Sequence, residues 1–198
     1  MTARGGLWFA AVLLALAGLA PNVRAEGLSD ALNPFGAYYN NVARAAEKND
    51  VGQVRSLLSS GNNPNQAEGD TQQTGLQWAA INGNIQITAI LIKAGARLND
   101  RDKLGNTALH YAAIHDQVEI AKLLLDVGAS IDEQNHDGVT PLMFAAQKGE
   151  VEMVRTLLAR GANSNKSDFT GRDAMSWAID SHRTALIELL KQAALKKH

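Results

Sequence analysis

Residues 107–113 read Thr-Ala-Leu-His-Tyr-Ala-Ala, and the stretch returns as Thr-Gly-Leu-Gln-Trp-Ala-Ala at 74–80, Thr-Pro-Leu-Met-Phe-Ala-Ala at 140–146 and Asp-Ala-Met-Ser-Trp-Ala-Ile at 173–179. Each copy starts 33 residues after the previous one. A Gly-Ala pair follows each of the first three copies, at 95–96, 128–129 and 161–162, in the same register. A weaker copy runs from Val42-Ala43-Arg44-Ala45-Ala46 through Leu57-Leu58 to Gly61, offset by 34, so one extra residue falls between Gly61 and Thr74. A fixed period of this length marks an array of stacked units, none of which buries its apolar face alone.

Within a unit the pattern predicts helix, tight turn, helix and an extended loop. Thr74, Thr107, Thr140 and Asp173 each offer a side-chain oxygen where a helix begins with unpaired N–H groups. Pro141 takes the next position, where its missing N–H costs nothing. The Leu or Met two residues after the cap and the Ala-Ala pair form a narrow apolar face whose small side chains allow close helix approach. Val118, Ile120, Ala121, Leu123 and Leu124 have the helical spacing of a second, amphipathic helix. Glycine closes that helix, since it tolerates the left-handed backbone of a helix end. Asn99, Asp132 and Asn165 begin the link to the next unit, where polar side chains stabilise turns.

At these residues the chain resembles the ankyrin-repeat family. The family's Thr-Pro-Leu-His-x-Ala-Ala stretch is present in pieces: Thr107, Leu109, His110, Ala112 and Ala113 in one unit, Thr140, Pro141, Leu142, Ala145 and Ala146 in the next. The resemblance spans about residues 38–198. It implies an all-α solenoid of five L-shaped units with hairpin-like tips, at roughly 38–70, 71–103, 104–136, 137–169 and 170–198. Gly75 and Ala108 depart from the family's proline, and Gln77, Met143 and Ser176 from its histidine. Losing that ring is expected to weaken the polar network between units by about 1 kcal/mol per hydrogen bond. The end units carry charge that suits caps: Arg44 and Glu47 in the first, Arg183, Lys191, Lys196 and Lys197 in the last.

The beginning of the chain reads as an address. Arg4 precedes an uncharged run from Leu7 to Ala20, Pro21 breaks it, and Val23-Arg24-Ala25 supplies small residues for signal peptidase. Cleavage is expected between Ala25 and Glu26, leaving 26–37 as a leader. The apolar run spans roughly 21 Å as helix, short of a ~30 Å hydrocarbon core. No membrane insertion is therefore expected after cleavage. Removing Arg4 and Arg24 takes two of 19 basic residues and none of 20 acidic ones, leaving a net charge of −3. That balance argues against nucleic acid as a partner, as do only ten aromatic residues. The 198 residues contain no cysteine, which excludes disulfides, thiolate metal sites and a cysteine nucleophile.

Candidate chemistry is sparse. His110 holds the family's structural histidine position. His115, five residues on, lacks the spacing of a helical zinc pair, and His136 stands beside Asp137 on an expected tip. A small enzyme or metal protein built on His115 and His136 is the alternative from another functional class, and neither cofactor nor metal is expected. Asp100, Asp102, Asp132, Glu133 and Asp137 are scattered without an EF-hand pattern. No Gly-x-Ser-x-Gly or phosphate-binding loop occurs. Trp78, Tyr111, Phe144 and Trp177 share one repeat position, and core stacking between units is their expected role. Asn165-Lys166-Ser167 is read as a chance glycosylation motif.

The remaining role is recognition of another protein by a monomer. The resemblance assigns the contact to tips and groove: Lys103, Leu104, Asn106, His136, Asp137, Val139, Phe169, Thr170 and Arg172 on the tips. Ile81, Asn82, Ile114, His115, Gln147, Lys148, Asp180 and Ser181 line the groove. Leu104, Ile114, Val139 and Phe169 are apolar where the framework does not require it. Together these readings describe an exported, non-catalytic binding module, periplasmic in the first instance, that stabilises, localises or inhibits a partner. The second version is a secreted effector acting on host proteins.

Overall fold

A computed structural model describes residues 41–180 and 184–195. The expected signal peptide 1–25, the leader 26–37, Ser181, His182, Arg183, Lys196, Lys197 and His198 lie outside the described residues. Ten helices form among those described: α1 (Val42–Glu47), α2 (Val51–Ser59), α3 (Gly75–Asn82), α4 (Ile85–Lys93), α5 (Ala108–Ile114), α6 (Val118–Asp126), α7 (Pro141–Lys148), α8 (Val151–Ala159), α9 (Ala174–Asp180) and α10 (Thr184–Leu195). They pair within each unit, and the units contact one another in series. The first helices touch in the order α1–α3–α5–α7–α9 and the second helices in the order α2–α4–α6–α8–α10.

Several helices start where a polar side chain accepts an otherwise unpaired N–H group, whereas α6 and α8, preceded by Gln117 and Glu150, have no such side-chain bond. Asn41 takes that of Arg44, Asp50 that of Gln53, Asn84 that of Ile87, and Asp173 that of Ser176, all at 2.8–2.9 Å. Such caps are each worth about 1 kcal/mol. Gly95, Gly128 and Gly161 end α4, α6 and α8 with φ between 83 and 95°, a backbone region closed to most side chains.

The core is one continuous stripe. Leu76, Leu109 and Leu142 are almost wholly buried, and Ala79, Ala80, Ala112, Ala113, Ala145 and Ala146 are fully so. From the second helices Ile87, Leu91, Ile120, Leu124, Met153, Leu157, Leu186 and Leu190 complete it. Alanine at the first-helix contacts lets neighbouring helices pack closely. In the last unit Ile179 occupies the position of Ala80, Ala113 and Ala146 and is 53% exposed, as no described first helix packs on that side of α9.

The extra residue between Gly61 and Thr74 is absorbed in the first tip. There β1 (Ala67–Glu68) pairs antiparallel with β2 (Gln73–Thr74), Ala67 opposite Thr74. Gln72 takes φ 55° to close this loop.

Polar bridges join the units in register. Asn65 Oδ1 accepts Arg97 N–H at 2.7 Å, Asn99 Oδ1 accepts Ser130 N–H at 2.9 Å, and Asp132 Oδ1 accepts Asn163 N–H at 2.9 Å. The expected loss at Gln77 does not occur. Its Oε1 accepts Thr74 N–H at 2.7 Å, and its Nε2 donates to the carbonyls of Asp100 and Asn106 at 3.0 and 2.7 Å. His110 makes the matching set: Nδ1 accepts Thr107 N–H at 3.0 Å, and Nε2 lies 3.1 Å from the Val139 carbonyl. An amide serves because the site needs one acceptor and one donor at opposite ends of a flat group. Met143 offers only a thioether contact to Thr140 N–H at 3.4 Å. Gln77→Met is expected to lower unfolding free energy by about 2 kcal/mol, as a buried acceptor and donor lose their partner, measurable by urea denaturation.

Candidate functional site: the hairpin tips and first-helix face

Three tips share one construction. In Asp102–Asn106, Asn135–Val139 and Asp168–Arg172 the first side chain accepts N–H groups two and four residues on, at 2.9–3.0 Å. The first residue's N–H donates to the carbonyl of the fifth in each case. Gly105, Gly138 and Gly171 close the turns with φ 78–84°. These Asp and Asn residues went unassigned in the sequence, although their 33-residue spacing and the glycine three positions later carried the signal.

Each tip rests on the one before. Lys103 N–H donates to the Thr71 carbonyl, His136 N–H to that of Leu104, and Phe169 N–H to that of Asp137, at 3.0–3.1 Å. Contact is close enough that a Cβ on Gly105 would lie 2.7 Å from the His136 ring. One on Gly138 would lie 2.7 Å from that of Phe169. The Arg101 guanidinium donates to the Gln134 carbonyl at 2.6 Å, and Gln134 Nε2 in turn to the Ser167 carbonyl at 2.9 Å.

All four recurring aromatic residues pack in or against the core, and two of them, Tyr111 and Trp177, also tie a tip to its first helix. Tyr111 Oη–H donates to Asp102 Oδ2, and Trp177 Nε1–H donates to Asp168 Oδ2 at 3.0 Å. Phe144 has no donor, and the corresponding tip residue is Asn135, whose Nδ2 turns to Asn106 Oδ1 at 3.0 Å. The Phe144 ring meets His110 edge-on at 6.0 Å, and Tyr111 lies over His115 at 6.5 Å. Burial and the bond to Asp102 hold the Tyr111 phenol above its usual range. Burial alone would raise the Asp168 carboxyl, but hydrogen bonds from Thr170, Arg172 and Trp177 bring it below the usual carboxylate value.

Of the expected contact residues, Lys103, Leu104, His136, Asp137, Phe169 and Thr170 project from the tips, and His115, Gln147 and Lys148 from the first helices. Leu104 is 59% and Phe169 74% exposed. Ile81 and Ile114 are half-buried, while Asn82 is drawn back to the carbonyls of Ala46 and Glu47 at 3.0 and 3.1 Å. Arg172 lies over the Trp177 ring, 4.4 Å from its centroid.

Two assignments are corrected. Asn106 and Val139 are buried, at 3 and 4% exposure, because each ends a tip turn whose backbone bonds face the framework. With Val139 inside, Leu104 and Phe169 stand on alternate tips with His136 and Asp137 between them. His115 is held below its ordinary value by burial and by Lys148. Among the described residues no three His, Asp or Glu side chains converge to hold a metal.

Units stacked in series with backbone-linked hairpin tips match what the repeated motif implies. The family model for ankyrin repeats, three copies long, matches residues 42–135 and 127–197. The chain is an ankyrin-repeat protein. Ankyrin repeats serve as protein–protein interaction modules and are generally non-enzymatic, which fits a face of positioned tips rather than a cleft of reacting groups. None of the curated proteins matches the sequence. No helix among the described residues is long and apolar enough to cross a membrane.

His110 makes the ankyrin framework acid-sensitive. Desolvation is the main cause of its low pKa of about 4, opposed by the bond to the Val139 carbonyl. Its Nδ1 already accepts Thr107 N–H, so a second ring proton would abolish that bond. The unfolded chain binds this proton near pH 6.5 and the folded one only near 4, so stability falls on acidification through that window. His110→Gln is expected to reduce the loss between pH 7.5 and 5 by about 2 kcal/mol relative to the parent, read from denaturation midpoints at the two pH values.

Proposed function

We propose that this ankyrin-repeat protein is an exported, non-catalytic module that binds a folded partner through its tips and first-helix face. By this reading it acts in the periplasm to stabilise, localise or inhibit that partner. The observation that carries the reading is the exposure of Leu104 and Phe169 on tips whose backbones are bonded to their neighbours. Large apolar side chains on a surface are stable features of a binding site when rigid structure positions them. Tips already held by turn, ladder and aromatic bonds lose little conformational freedom on docking, so more of the contact energy remains as affinity. Lys103, His136, Asp137 and Lys148 supply a polar surround that fixes register more than strength. Export rests on the signal-like residues 1–25.

Affinity capture from a native periplasmic extract is expected to recover a partner with the parent protein. Leu104→Glu/Phe169→Glu is expected to lose that partner while its stability stays within about 0.5 kcal/mol. Equal recovery by both proteins rejects this face. Expression of the full chain in a bacterium with a periplasm should yield protein whose intact mass begins at Glu26, and retention of Met1 in the cytosolic fraction rejects export.

A further inference from the structure

The second helices lie side by side, and the grooves between them are not alike. Between α6 and α8 the Arg160 guanidinium reaches across to Asp126 at 2.7 Å and bridges the gap. Between α2 and α4 the gap is open, with a volume of about 640 Å³. Its lining is mostly apolar, with Leu58 from α2, Ala89 and Ile90 from α4 and Ala94 just beyond it, and Ser59 and Gln86 as the neutral polar members. In the repeat register Asp126 and Arg160 correspond to Ser59 and Ala94 of the α2–α4 groove, so no charged pair bridges that gap.

The rim of this groove is cationic. Arg55 stands on the α2 wall and Lys93 on the α4 wall. Arg44, Lys48, Arg97, Lys122, Arg155 and Arg160 each have a carboxylate within 4 Å, whereas none of the ion pairs among the described residues includes Arg55 or Lys93. In the repeat register Arg55 is level with Ala89, and Lys93 with Ser59. The two charges therefore face each other across the groove, offset by one helical turn, about 6 Å along the axis.

We propose that the α2–α4 groove is a second docking surface, separate from the tips, and that it receives an acidic amphipathic helix of a partner protein. A third helix fits between two parallel ones at ordinary interaxial distances, and alanines on the floor let it settle deeply. Apolar residues at i, i+3 or i+4 and i+7 of the incoming helix meet Leu58 and Ile90. Carboxylates on its two flanks, one turn apart, meet Arg55 and Lys93. In a protein of net charge −1 over the full chain, two unmatched cations at one groove select the acidic partner and set its register. A flat anionic bilayer reaches the rim but not the floor, so the groove favours a helix over a membrane.

The test is selection of a displayed library of helix-forming peptides, about four turns long, on the full chain, with Arg55→Glu/Lys93→Glu as the comparison. Selected peptides are expected to carry two carboxylates one turn apart beside an apolar stripe and to bind the double variant at least about tenfold more weakly. Replacing their acids with lysine should restore binding to that variant, which shows that it is folded. Leu104→Glu/Phe169→Glu should bind the peptides unchanged, separating this surface from the tips. Three outcomes overturn the proposal: no enrichment over the double variant, enrichment of basic or uncharged sequences, or binding of phosphatidylglycerol-containing vesicles without any selected peptide.

Discussion

No single helical pair in this chain can remove its own apolar stripe from water, so every structural feature follows from units covering one another. Leu76, Leu109 and Leu142 repeat at a fixed interval because each occupies the same place between consecutive first helices. The alanine pairs beside them leave almost no spare room. An added methylene there would push two units apart along the whole contact, in a core packed as densely as a crystal. Extra residues can therefore enter only where the chain leaves the stack, and the first tip is where one does. Its short strand pair and the left-handed Gln72 accommodate the insertion without disturbing α1 or α3.

Burial on this scale brings backbone carbonyls inside, and they must be bonded. Gln77 and His110 solve the same problem with different chemistry. Each closes its own helix start and reaches the carbonyl of a residue 29 positions on, Asn106 or Val139. Met143 shows that the requirement is not absolute, since Thr140 still caps α7 through its hydroxyl at 3.3 Å. The same economy appears at the tips. In the three tips built alike, Tyr111 and Trp177 donate to the Asp that begins the turn, and beside Phe144 the turn begins with Asn135, whose amide finds another acceptor. These choices make the tips rigid, and a rigid tip is what turns a loop into a recognition surface.

On the proposed reading, specificity lies in residues that the stack leaves outside. Leu104 and Phe169 are exposed because their backbones, not their side chains, take part in the tip ladder. The outer grooves follow the same logic: a groove is open or bridged according to whether alanine or a charged residue occupies a position that no core contact constrains. Mutational drift at such positions changes partners without changing the fold, which is the physical basis for one framework serving many interactions.

The linear pattern determined the number of units, their helical pairs, the capping residues and the apolar stripe, because these depend on local propensity and on a period that any copy reports about the others. It also placed most of the tip residues, since loops between periodic helices have few alternatives. It misjudged Gln77, Asn106 and Val139. Whether an amide can stand in for an imidazole depends on carbonyls brought from 23 and 29 residues away. Whether a loop residue points outward depends on which side of the turn its backbone bonds occupy. Only the tertiary structure decided those questions, together with the separation of Leu104 from Phe169 and the opening between α2 and α4. Each is set by distances between units that share no local sequence, and packing alone determines such distances.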